Sequence, residues 1–169
     1  MNFRKLFFIA VFSAFSTTVF GQIEKMQAAF MYNFTMLVNW PESYKSGDFI
    51  IAVLGSSPIN KELEEMAKQK KAGSQTIVIK KIGSAGEIGN AQMVYVPNSA
   101  KLKIADVVSK TSSGATLVVT ESDGAAKEGS NINFLLVDEK LRFELNEAKA
   151  TAKGLKLAAN LVKLGIPVK

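Results

Sequence analysis

Three short segments run with almost no polar interruption: FIIAVLG at residues 49–55, QMVYV at 92–96 and TLVVT at 116–120. Each has the length of a strand and is rich in β-branched residues. None shows the alternation expected of a strand with one wet face, so these runs suit strands covered on both sides, as in a parallel sheet. A further strand is expected at 75–81 (QTIVIKK), and the stretches between strands carry helical patterns. Strands separated by helical crossovers imply an α/β fold, a mostly parallel central sheet with helices on both faces.

The crossovers have readable ends. Residues 23–39 place Met26, Phe30, Phe34 and Leu37 at helical spacings, and Trp40-Pro41 stops the pattern because proline disfavours helical geometry in the residue before it. Ser57 and Pro58 look like the cap and first position of a helix that runs to about residue 71, with Lys68, Lys70 and Lys71 in its last turn before Gly73. Another helix is expected at 100–110. Gly83, Gly86 and Gly89 leave room for at most one helical turn between strands.

The C-terminal part changes character. Residues 131–137 and 140–145 form two strands at hairpin spacing, joined by Asp138-Glu139 rather than the favoured Asn-Gly or Asp-Gly. Leu141, Phe143 and Leu145 alternate with Lys140, Arg142 and Glu144, giving one buried face and one wet face. A closing helix is expected over about 147–164, turning Ala152, Leu155, Ala159, Val162 and Leu164 inward, with Gly154 weakening its middle.

The first 21 residues read as a cleavable export signal. Arg4 and Lys5 precede an apolar run at 6–15, and Val19-Phe20-Gly21 offers a cut ahead of Gln22. Ser13, Ser16, Thr17 and Thr18 interrupt the run, leaving it short of a bilayer span. An uncleaved anchor is the alternative, whereas a lipid-bearing cysteine is excluded because the chain has none. Residues 22–169 then form one domain of ordinary size with a periplasmic address.

Composition removes whole classes of chemistry. The chain has no cysteine and no histidine, which excludes Cys/His and Ser/His/Asp nucleophilic machinery and most zinc sites. No cofactor or metal is called for. The net charge of +6 includes two cations of the export segment, and most of the eleven phenylalanines lie there too. What remains is weakly basic and lacks interleaved bases and aromatic rings, so nucleic acid is not an expected partner.

Candidate sites follow from where the strands end. Ser56, Asn98, Ser99, Glu121 and Ser122 should converge on the carboxyl edge of the sheet, where open α/β sheets bind ligands. Gly55-Ser56-Ser57-Pro58 lacks the glycines and lysine of a phosphate loop and reads better as a helix start. The spacing of Gly83, Gly86 and Gly89 is wrong for a dinucleotide fingerprint. Glu121 and Asp123 could do acid/base work, although ESDG is also a good turn. Asn33 and Trp40 read as structural, and Arg142 and Glu144 as a solvated face.

Several segments together resemble the YfiR family of small periplasmic proteins. They are KMQAAFMYNFTMLVNWP (25–41), IIAVLGSSPI (50–59), MVYVP (93–97), TLVVTESDG (116–124), INFLLVDEKLRFELN (132–146) and GLKLAANLVKLG (154–165). The resemblance implies an exported α/β protein without catalysis that binds the outer part of an inner-membrane diguanylate cyclase. Such binding keeps the cyclase inactive, lowering cyclic di-GMP and restraining biofilm formation. It also implies homodimers in some members, and it marks Arg142, Phe143, Glu144 and Asn146 as partner-contacting positions. Two departures limit the carry-over: the family's cysteine pairs are missing, and KLAANLVKLG is less apolar than the usual leucine-rich ending. Rival readings are a carboxylate-based hydrolase using Glu121 and Asp123, and a small-ligand carrier or sensor using Ser56, Asn98 and Ser122.

Overall fold

The computed structural model describes the backbone of residues 17–168 and the side chains of residues 21–168, so most of the expected export signal lies outside the described residues. Its elements, in order, are α1 (Thr17–Leu37), β1 (Val38–Asn39), β2 (Phe49–Leu54), α2 (Ile59–Gln69), β3 (Lys71–Ala72), β4 (Gln75–Ile82) and β5 (Met93–Val96). Then follow α3 (Ile104–Lys110), β6 (Leu117–Thr120), β7 (Ile132–Val137), β8 (Lys140–Leu145), α4 (Glu147–Ala152), β9 (Lys156–Leu157), α5 (Ala159–Leu164) and β10 (Ile166–Pro167). Eight strands form a mixed, largely parallel sheet in the order β10-β8-β7-β6-β5-β2-β4-β3, and β1 pairs with β9 separately. The α/β expectation is met.

The apolar runs are explained by two covered faces. Phe49, Ile51 and Val53 of β2 face a core built with α1, α2 and the C-terminal segment, while Ala52 and Leu54 face a second core built with α3. The same split divides Met93 and Tyr95 from Val94 and Val96 in β5, and Leu117 and Val119 from Val118 in β6. Each strand must therefore be apolar at every position. The first core is the larger and contains an aromatic nest: Phe34 lies 5.5 Å from Phe143 and 6.0 Å from Phe134, with Phe30 beside all three.

Several boundaries differ from the sequence expectation. The first helix stops at Leu37 because Val38 and Asn39 pair antiparallel with Leu157 and Lys156, and the Leu37 carbonyl accepts from Ala158 N at 2.8 Å. Ser57 does not cap α2 through its side chain; Pro58 occupies the cap position, and the Ser57 carbonyl accepts from Asn60 N at 3.1 Å. That helix ends at Gln69, and Lys71 joins a small antiparallel turn with β4. The helix expected from residue 100 begins as a 3-10 turn over Asn98–Lys103. Ala85–Glu87 forms the single turn allowed between the glycines. Asn33 is exposed, whereas Trp40 is buried below the end of α1 and donates to the Gln92 carbonyl at 3.0 Å.

The segment expected as one closing helix over about 147–164 is two short helices, α4 and α5. Gly154 has φ +78°, Leu155 N donates to Ala150 O at 3.2 Å, and Gly154 N donates to Thr151 O at 2.9 Å. This is the Schellman ending of α4, with Leu155 turned into the core instead of continuing the helix.

Candidate functional site

The order of the strands puts a topological switch point between β2 and β5. From β2 the chain moves outward to β4, then returns to β5 on the other side of β2 and continues to β6. The carboxyl ends of β2 and β5 therefore lead to crossovers on opposite faces, the position at which open α/β sheets take ligands. Ser56 follows β2 and is exposed; Asn98 and Ser99 follow β5 and are exposed; Glu121 and Ser122 follow β6.

Three of these five residues are joined by hydrogen bonds. Asn98 N donates to Glu121 Oε1 at 2.9 Å, and Ser122 Oγ donates to Asn98 Oδ1 at 3.1 Å. The other Glu121 oxygen accepts from Gln27 Nε2 of α1 at 2.8 Å. Ser56 and Ser99 take no part in this network. Glu121 is thus engaged through both oxygens, holding α1 and the turn after β5 against the end of β6, while Asp123 lies exposed in the following turn.

Beneath the edge lies a polar layer that sequence reasoning missed. Asn133 Oδ1 accepts from Thr120 Oγ1 at 2.8 Å and from Ser122 N at 3.0 Å, and its Nδ2 donates to Glu144 Oε2 at 2.9 Å. The Tyr95 hydroxyl is fully buried and has no hydrogen-bond partner of good geometry among the described residues. Burial first, then the charge of Glu121 and more weakly that of Glu24, push its phenol above the ordinary range. The signal available for Gln27 and Asn133 was an amide set among apolar neighbours, Met26 and Ala28 for the one and Ile132 and Phe134 for the other, since buried amides need partners. Tyr95 gave no such signal inside MVYV.

The four residues marked by the resemblance separate by role. Arg142 is exposed on β8. Phe143 is buried in the aromatic nest, Glu144 accepts from Asn133, and Asn146 caps α4 by accepting from Lys149 N at 3.1 Å. Beside Arg142 is a groove of about 300 Å³ lined by Phe30, Leu141, Arg142, Phe143, Lys163 and Leu164. Leu164 and Leu136 expose more than half of their surface. The outer edge of β8 is paired by β10 only at Glu144 and Leu145, leaving the stretch around Arg142 without a strand neighbour among the described residues. A larger groove of about 710 Å³ runs between α4 and the C-terminal strand, floored by Leu145 and Val162.

A family model described as YfiR/HmsC-like matches residues 24–166, from the first turns of α1 to the start of β10. The chain belongs to the YfiR/HmsC-like family. No curated protein matches it in sequence. Among solved structures, a conserved domain protein from Vibrio cholerae O1 biovar El Tor strain N16961 is similar at a TM-score of 0.56 and 10% identity, over 72% of this chain and 55% of that one. The ABC domain from Streptococcus pneumonia, solved in complex with L-Trp, is similar at a TM-score of 0.53 and 14% identity, over 71% and 55% respectively. The present chain spans about half the length of either, and at these identities the likeness is one of fold. The YfiR/HmsC-like match covers both the strand-end network and the β7–β8 hairpin, so neither is an appendage to the family unit. Among the described residues no helix is long and apolar enough to cross a membrane, and no group of three or more acidic side chains is placed to hold a metal ion.

Proposed function

We propose that this protein is an exported, non-catalytic regulator that docks on the outer region of an inner-membrane diguanylate cyclase and holds it inactive. Membership of the YfiR/HmsC-like family supports the regulatory role. The observation that carries the docking surface is the exposed Arg142 beside a groove with apolar walls, flanked by Lys163 and Leu164, on a strand edge that β10 leaves unpaired at Arg142 among the described residues. An arginine next to a desolvatable apolar groove is a usual composition for the energetic centre of an interface. The engagement of Glu121 through both oxygens argues for a structural use of that carboxylate over acid/base catalysis.

Crosslinking in the native envelope tests this reading. The wild-type protein is expected to capture a cyclase, and deleting the protein should raise cyclic di-GMP. Arg142→Glu combined with Leu164→Glu, both at exposed positions, should weaken capture by about tenfold or more without lowering the melting temperature. Capture of no cyclase together with unchanged cyclic di-GMP in the deletion strain would sink the proposal.

A further inference from the structure

The junction at Gly21-Gln22 creates a chemical problem when it is cut. A free α-ammonium at Gln22 would sit at the start of α1, where the helix dipole disfavours positive charge. Lys25, exposed and three residues on, adds a second cation on the same helical face. Both influences favour the neutral amine, which is the nucleophilic form. Glu24 also lies in this first turn and acts in the opposite sense, but one of its oxygens is buried and turned away from water.

The surroundings leave Gln22 free to react. Its side chain is exposed and enters no hydrogen bond among the described residues, and a Cβ placed on Gly21 would meet nothing within 4 Å. The next residue, Ile23, already packs against the main core. The Gln22 side chain is therefore unengaged among the described residues, on a helix anchored from Ile23 onward. The junction is helical in the full chain, so the cut belongs to the stage before α1 folds.

We propose that Gln22, once exposed by removal of residues 1–21, closes on itself to form pyroglutamate. The α-amino nitrogen attacks the side-chain Cδ, a C–N bond forms, and the Cδ–Nε2 bond breaks. Nε2 leaves as ammonia, carrying the proton shed by the amine, and no oxidant or co-reactant is consumed. The resulting lactam is uncharged, so it removes the cation from the helix start and leaves no free amine for an aminopeptidase. The proposal rests on the export reading and on the cut preceding Gln22.

Intact mass and N-terminal sequencing of protein taken from the periplasm and quenched in acid test it. The expected product is residues 22–169 lighter by one ammonia, about 17 Da, and refractory to sequencing from the N-terminus. Gln22→Ala should give the full mass of its own 22–169 chain and a readable N-terminus. A wild-type chain that starts at a readable Gln22 at full mass overturns the cyclisation alone. A chain that retains residues 1–21, or starts at another residue, overturns both the cyclisation and the placement of the cut.

Discussion

Lys153 is a cation held without a carboxylate among the described residues. Its Nζ donates to Thr111 Oγ1 at 3.0 Å and to the Thr116 carbonyl at 3.1 Å, pinning the end of α4 to the amino edge of β6. Burial pushes its pKa down from 10.5 to about 8. Between those values the unfolded chain binds a proton that the folded chain has released, so stability rises with pH across that interval. Below about 8 both states are protonated and the burial penalty is fully present. Tyr95 acts in the other direction, because its raised pKa costs stability once the unfolded phenol ionises near its ordinary value of 10.0. The useful window is thus from about pH 8 to about pH 9.5. There, urea denaturation should show wild type gaining stability relative to Lys153→Met as pH rises; a flat or falling difference would refute the assignment. A lysine in the middle of EAKATAKGLK gives no hint of this in sequence, because its environment is supplied by β6 and by Asn131, twenty-two positions away. The strand-end residues were more legible. Asn98, Glu121 and Ser122 follow apolar runs, and the rule for parallel sheets brings them to one edge. Gln27 reaches Glu121 only through the packing of α1, which no local pattern encodes.

The β7–β8 hairpin is closed by two residues at positive φ that are not glycine, the only such pair among the described residues. Val137 pairs with Lys140, so Asp138 and Glu139 form a two-residue loop, and they adopt φ +49° and +60°. Two positive values are the signature of a type I′ turn, which matches the twist of the strands but crowds any Cβ. Glu139→Gly should relieve that crowding and raise stability by about 1 kcal/mol, read as a higher urea midpoint with an unchanged slope. Lower stability would show that the side chain contributes more than the strain it causes. The hairpin itself was readable from the alternation in KLRFEL, because one buried and one wet face leave a period of two. The closing segment was not. Ala152, Leu155, Ala159, Val162 and Leu164 fit a helical stripe, yet Gly154 carries a left-handed cap and the chain turns to place β9 against β1. A glycine inside a helical pattern is either a weak point or a C-terminal stop. The choice here is made by a partner strand more than a hundred residues earlier. The end of α1 fails for the same reason, since Val38 and Asn39 are drawn out of the helix by that same pair.

At the level of the molecule, the two cores share one sheet and cannot separate. Val53 and Leu54, adjacent in β2, belong to opposite cores, as do Val118 and Val119 in β6, so loss of either core exposes apolar strand surface to water. Trp40 sits where the pieces meet. It lies 5.0 Å from Phe49 in an edge-to-face arrangement, and Gln92, whose carbonyl it contacts, also bonds Ile50 N and the carbonyls of Tyr44 and Asp48. The C-terminal segment reaches the same region through the β1–β9 pair. Unfolding should therefore be one cooperative event. Fluorescence of Trp40, the single tryptophan, and far-ultraviolet circular dichroism should give coincident urea transitions. With no cysteine in the chain, the shared midpoint should not move when a thiol reductant is added. A circular-dichroism loss that precedes the Trp40 signal would mean that α4 and α5 melt as a unit of their own. In that case the groove beside Lys163 and Leu164 would open and close independently of the sheet, and the proposed docking surface would be a mobile one.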